Sequence, residues 1–128
     1  MIAIDTSSLV AYLGGAAGPD VEAVDRALLD NQACLPPVVL TELLSDPKLH
    51  TQVAATLRAI PLVALTDGYW DRAGHLRSTI IARKRRARLA DTLIAQACLD
   101  SDLALITRDA DFPAFAELGG LKLVASAV

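Results

Sequence analysis

Five short apolar runs, separated by segments with helical spacing, set the tightest limit on how this chain can fold. MIAI at the N-terminus stops at Asp5-Thr6-Ser7-Ser8, and ACLP runs into Pro36-Pro37. PLVAL opens at Pro61, LALIT runs into Arg108-Asp109, and LKLVA follows Gly119-Gly120. Runs this short, bounded by turn formers, read as strands. The intervals read as helices. LVAYL follows the first run, and Val21, Val24, Leu28 and Leu29 give helical spacing over 21–31. Pro36 and Pro37 precede VVLTELLSD as prolines do at a helix start, and Pro47 favours a helix over 48–58. Thr66 is placed to cap a helix from Asp67 onward. Leu89, Ala90, Leu93, Ile94 and Ala97 form one stripe of a further helix. This alternation predicts an α/β fold, a three-layer sandwich around a mostly parallel five-stranded sheet, as a single domain over 1–128. In such sheets ligands bind outside the carboxyl ends of the strands, so the residues closing each run matter most.

Composition narrows the class. With 53% hydrophobic residues but only 4% aromatic, the core has to be built mainly from Leu, Ala, Val and Ile. That share lies at the upper end for a soluble chain, and the surplus points to an interface with another copy or a partner. No apolar run reaches the ~18 residues that span a bilayer. Asp5 interrupts the N-terminus too early for a signal peptide. Cys34 and Cys98 lack CxxC spacing and sit in apolar surroundings, so both read as buried reduced thiols. The expectation is a soluble cytoplasmic protein. Net charge is −3, yet Arg83, Lys84, Arg85, Arg86 and Arg88 concentrate five of the twelve basic residues in one patch.

Each acid near a strand end also has an ordinary explanation. Asp5 in DTSS suits a helix cap, but a cap needs only one such residue of the four. Glu42 lies opposite the apolar arc of VVLTELLSD, where a glutamate is normally solvated. Asp91 opens its helix at the edge of the apolar stripe, either as favourable charge–dipole placement or as a shielded carboxylate. Asp109 and Asp111 are normal turn residues, though two within three positions after a core strand invite a cation. Jointly, converging carboxylates repel, and a hard divalent ion such as Mg²⁺ or Mn²⁺ offsets that cost. Such an ion activates water and stabilises charge on a phosphodiester.

The order MIAIDTSSLVAYL, VVLTELLSD, RLADTLIAQACLDSDLALITRDADF resembles the PIN domain of VapC-type toxins along essentially the whole chain. The resemblance implies a Mg²⁺-dependent (Mn²⁺ possible) endoribonuclease site with Asp5, Glu42, Asp91 and Asp109 as catalytic metal ligands. Thr107, Asp111 and Thr6 would support them, and Ser7 would help order the first turn. It further implies homodimerisation and neutralisation by a VapB-type antitoxin. The basic segment ARKRRAR departs from the family pattern, lacking the glycine associated with this loop in relatives. It reads either as a solvated helix end or as a phosphate clamp for RNA through Arg83, Lys84, Arg85, Arg86 and Arg88. His50 and His75 lack metal-ligand spacing, and Tyr69 and Trp70 read as packing residues.

Rival readings are a Mg²⁺-binding receiver-like module, an aspartyl phosphatase, or a DNA-cleaving nuclease of the same fold. The receiver has no use for Glu42 and Asp91, and Lys122 falls inside the last run instead of at its end. DTSS lacks the second aspartate that a phosphatase needs two residues after the first.

Overall fold

The structure, a computed structural model, describes residues 1–124. The chain runs β1 (Ile2–Ile4), α1 (Thr6–Leu13), α2 (Pro19–Leu29), β2 (Ala33–Cys34) and α3 (Pro37–Leu44). It continues through α4 (Thr51–Arg58), α5 (Tyr69–Ala82), α6 (Leu89–Asp100), β3 (Leu105–Ile106) and α7 (Pro113–Gly119). The strands are parallel in the order β2-β1-β3, with Ala3 facing Cys34 on one side and Leu105 on the other.

The expected five-stranded sheet is corrected to three strands among the described residues. PLVAL and LKLVA do lie at the two outer edges, but each contributes a single bridge, Leu62 to Leu35 and Leu123 to Leu105. Their exposure explains the difference. Val63 is buried while Leu62 and Leu65 are 48% and 40% exposed, so little of PLVAL is drawn into the sheet. In the last run Leu121 is buried and Lys122 exposed, and Ala125 lies outside the described residues. Two ladder bonds fasten each edge, among them Val63 N–H to Leu35 O at 2.8 Å and Val124 N–H to Leu105 O at 2.9 Å.

Helix boundaries follow local chemistry, with two departures from expectation. α2, α3 and α7 each carry proline in the first turn, and α7 ends at Gly120 in the left-handed region, φ +81°. Thr66 does not cap α5: the cap position is Gly68 at φ +83°, and Thr66 Oγ1 instead accepts from Arg72. α7 itself was not anticipated from the apolar pattern. Trp70 is 67% exposed and packs edge-on against Tyr69, ring centroids 4.9 Å apart, whereas Tyr69 is buried and donates its hydroxyl to Leu93 O. His50 is exposed and caps α4 through Nδ1, and His75 is exposed.

The core is aliphatic as composition required, with Ile4, Leu9, Val24, Leu35, Val39, Ile80, Ile94 and Leu105 all at 1% exposure or less. Both phenylalanines, Phe112 and Phe115, are fully buried beside it. Cys34 and Cys98 are buried free thiols, and burial pushes Cys98 up to about 12. No helix among the described residues is long and apolar enough to cross a membrane.

Strand order decides where a site can form. From β1 the chain moves one way to β2, then back past β1 to β3. Right-handed crossovers in opposite directions put the intervening helices on opposite faces and leave a crevice where the direction reverses. That crevice lies at the carboxyl ends of β1 and β3, where Asp5 and Thr107-Arg108-Asp109 leave the sheet.

Candidate metal centre

Asp5 is fixed by the last rung between the two strands, its N–H donating to Ile106 O at 2.9 Å. Its side chain is 3% exposed and caps α1. Oδ2 accepts from Ser7 Oγ at 2.6 Å, Ser7 N at 3.4 Å and Thr107 Oγ1 at 2.8 Å. The residue that caps α1 therefore also lines the crevice. Burial raises the Asp5 pKa, and the bonds from Ser7 and Thr107 oppose that rise.

The turn after β3 is built on Thr107. Its Oγ1 donates to Asp5 and accepts from Asp109 N at 3.0 Å, and Asp109 Oδ1 accepts from Asp111 N at 2.9 Å. One carboxylate oxygen of Asp109 thus braces the turn. This turn delivers Asp109 and Asp111 to the first turn of α6. There Asp91, Asp109 and Asp111 each offer an oxygen within 4.8 Å of the other two. Three carboxylates this close are a set that would hold a hard divalent cation.

Asp91 has the environment that asks for a cation. It is 9% exposed, and its Oδ2 is a buried oxygen with no hydrogen-bond partner. Burial, then the charges of Asp109, Asp5 and Asp111, push its pKa up to about 7, with Arg88 pulling the other way. Buried polar atoms in folded proteins are nearly always satisfied, which makes this orphan informative. The donor set is all oxygen, the kind a hard divalent cation takes.

Of the four acids expected to line the site, Asp91 and Asp109 belong to this group, while Asp5 and Glu42 lie outside it. Asp5 still raises the Asp91 pKa across the crevice. Glu42 is exposed on α3 and accepts from Thr6 Oγ1 at 2.7 Å, so it joins the rim through the residue next to Asp5. Asp111, ranked as support on sequence grounds, supplies the third oxygen.

The basic segment forms the loop between α5 and α6, with Arg83 capping α5 and Lys84 at φ +60°. Its members face different ways. Arg85 is held by Glu117 at 2.8 Å, whereas Arg86 and Arg88 approach Asp111 Oδ2 at 3.9 and 3.7 Å and stay 63% exposed. A third buried acid, Asp20 at 2% exposure, was missed by sequence reasoning. Arg108 grips it in a two-pronged ion pair, and this bonding, with Ser8, brings its pKa down to about 2. Locally Asp20 is an ordinary first-turn aspartate after Gly18-Pro19, so nothing near it in sequence marked the pair.

The family model for the PIN domain matches residues 2–118. No curated protein matches the sequence significantly. Among solved structures, the chain is similar to one in VapBC2 from Rickettsia felis bound to a DNA fragment from its promoter. That match has a TM-score of 0.71 at 20% identity, covering 97% of this chain and 98% of that one. It is also similar to VapBC-5 from Mycobacterium tuberculosis, at TM-score 0.66, 23% identity and 96% coverage of both chains. FitAcB from Neisseria gonorrhoeae gives 0.70 at 18% identity, covering 98% and 97%. At these identities the structural likeness speaks for the fold, and the family match over most of the length speaks for descent. With an acidic crevice at the carboxyl ends of β1 and β3 and this match, the chain belongs to the PIN domain family, a family of nucleases.

Proposed function

We propose that the protein is an endoribonuclease dependent on Mg²⁺ or Mn²⁺, and the toxin of a VapBC-type pair neutralised by a VapB-type antitoxin. The observation that carries the enzymatic reading is Asp91, whose Oδ2 is buried without a partner and whose carboxylate lies beside those of Asp109 and Asp111. An oxygen left this way costs free energy that a bound cation returns. When bound, a hard divalent ion supplies an activated water and charge stabilisation at the phosphodiester.

The chain's own residues do the rest. Asp91, Asp109 and Asp111 hold the ion, with Asp5 adding negative charge behind them and Thr107 keeping Asp5 and the turn in register. Glu42, tied to Thr6, stands at the rim as a further acceptor. Arg86 and Arg88, exposed beside Asp111, hold backbone phosphates of the substrate, and Arg83 and Lys84 extend that patch. No histidine is placed to act as a general base there. Support for the protein partners is the apolar surface left open, with Val10, Leu13, Leu29, Leu62, Leu65 and Trp70 all exposed. One part of it serves a homodimer and another the antitoxin.

The test is cleavage of structured RNA and of matched DNA by the wild type and Asp91→Asn, with Mg²⁺ and with EDTA. RNA cleavage only by the wild type, and only with the metal, is expected. Activity in EDTA or in Asp91→Asn defeats the mechanism, and preferential DNA cleavage defeats the substrate assignment. Growth arrest on expression, relieved by a small neighbouring reading frame, is the expected result for the toxin role.

A further inference from the structure

We infer that Arg108 and Asp20 form a positioning clamp for the acidic crevice, holding the turn after β3 against the start of α2 and so fixing where Asp109 and Asp111 stand. The inference rests on the metal-site reading above and assigns a task to two residues outside the metal-holding set.

The clamp is built from four segments. Arg108 Nε donates to Asp20 Oδ2 at 2.8 Å and Nη2 donates to Asp20 Oδ1 at 2.9 Å, a two-pronged arrangement that fixes direction as well as distance. Nη2 also donates to Ala17 O at 3.1 Å in the α1–α2 loop. From α1, Ser8 Oγ, fully buried, donates to Asp20 Oδ2 at 2.8 Å. Gly18 leaves the room. Its φ is +144°, and a Cβ there would stand 2.8 Å from Asp20 Oδ1 and 3.1 Å from Arg108 Nη2.

Arg108 lies between the two residues that shape the site. Thr107 on one side bonds Asp5, and Asp109 on the other bonds the Asp111 amide. Its own N–H donates to Ser7 Oγ at 3.3 Å, and Ser7 in turn bonds Asp5. The turn needs such a hold. The named strand ends at Ile106, and the following carboxylates face Asp91, so like charges push the turn outward. A two-pronged ion pair whose acid is buried in α2 resists that push in a defined direction, and outer supports of this kind tune affinity at metal sites.

Mn²⁺ binding by calorimetry and electron paramagnetic resonance tests the clamp, at a temperature where circular dichroism shows each variant fully folded. Arg108→Gln, Asp20→Asn and Gly18→Ala are each expected to bind Mn²⁺ about 10-fold more weakly than the wild type, with Arg108→Lys falling between. Gly18→Ala keeps every charged group while crowding the pair and straining the backbone at φ +144°, so it is read only alongside Arg108→Lys. If Arg108→Gln does not fold, Arg108→Lys and Gly18→Ala are read in its place. Folded variants with lowered Tm but unchanged Mn²⁺ affinity would make the pair a stability element only and overturn the clamp. Absence of Mn²⁺ binding by the wild type would instead overturn the metal reading beneath it.

Discussion

Asp20 and Asp91 each sit in the first turn of a helix, and they are 2% and 9% exposed. Burial penalises both carboxylates, and both gain from the positive end of a helix dipole. Their fates diverge because of what lies opposite. Asp20 meets the Arg108 guanidinium and the Ser8 hydroxyl, and its pKa falls to about 2. Asp91 meets three other acids and leaves one oxygen unpaired, and its pKa rises to about 7. The comparison separates a structural carboxylate from a functional one by partner and not by burial. A fold that satisfies one buried acid this fully leaves the other open only where something else binds.

Breaking the contrast at the unpaired acid carries the largest effect. Asp91→Asn removes a metal-holding oxygen and is expected to lower Mg²⁺-dependent RNA cleavage by more than about 100-fold. The same change removes a penalised charge, so the metal-free variant is expected to melt at higher temperature than the wild type at pH 8. A variant that is both inactive and less stable would point to a packing role for Asp91. At the paired acid the expectation inverts. Asp20→Ala removes the buried acceptor of the Arg108 and Ser8 bonds, an expected loss of about 2 kcal/mol by urea unfolding at pH 7. Because the folded Asp20 pKa lies below 3.8, its stabilisation is complete above that pH and is lost as pH falls through about 2. The gap between wild type and Asp20→Ala is therefore expected to narrow in acid.

The two acids also bend the pH profile in opposite directions. An unfolded chain ionises Asp91 near 3.8, while the folded metal-free chain holds its proton to about 7. Between those values the folded state binds the extra proton, so stability falls as pH rises, and the full penalty stands above about 7. A single isolated group would give ~4 kcal/mol over that interval. Sharing of protons among the neighbouring acids spreads the titration and makes the fall smaller than that. Thermal melts from pH 5 to 8 check it, since saturating Mg²⁺ or Asp91→Asn should remove the fall. A profile unchanged by both would leave the crevice acids uncoupled from folding.

How far the sequence reaches can be read from the same residues. Asp5, Asp91 and Asp109 were legible because they close strands or open a helix, and the sheet order brings such ends together. The inner runs MIAI, ACLP and LALIT were legible as strands because they are almost wholly apolar. PLVAL looked the same in composition, yet its place at the edge left it a single bridge, and edge position is a tertiary fact. That Asp111 would stand beside Asp91 and Asp109 while Asp5 Oδ2 is engaged by Ser7 and Thr107 depends on contacts between DTSS and TRDADF, which are tertiary. Asp20 and Arg108 lie 88 positions apart, and neither departs locally from a normal helix start or turn. α7 carries start and stop signals in Pro113 and Gly120, but its seven residues are too few to show a helical apolar period.

The smallest expected effect concerns the basic loop, where adjacent arginines differ by partner as Asp20 and Asp91 do. Arg85 is engaged by Glu117, while Arg86 and Arg88 remain 63% exposed beside Asp111. If the latter two hold phosphates, Arg86→Ala with Arg88→Ala should reduce the slope of log affinity against log salt by roughly 1.4 for single-stranded RNA, at ~0.7 per contact. Arg85→Ala should change that slope by less than one contact. Removing two cations from beside Asp111 also strengthens the field felt by a divalent ion, so Mg²⁺ binding by the double variant is expected to tighten a few-fold. Opposite signs for RNA and Mg²⁺ are the signature of arginines that serve substrate at some cost to the metal. If both affinities fall together, the loop is holding the crevice in shape, and the division between Arg85 and its neighbours does not stand.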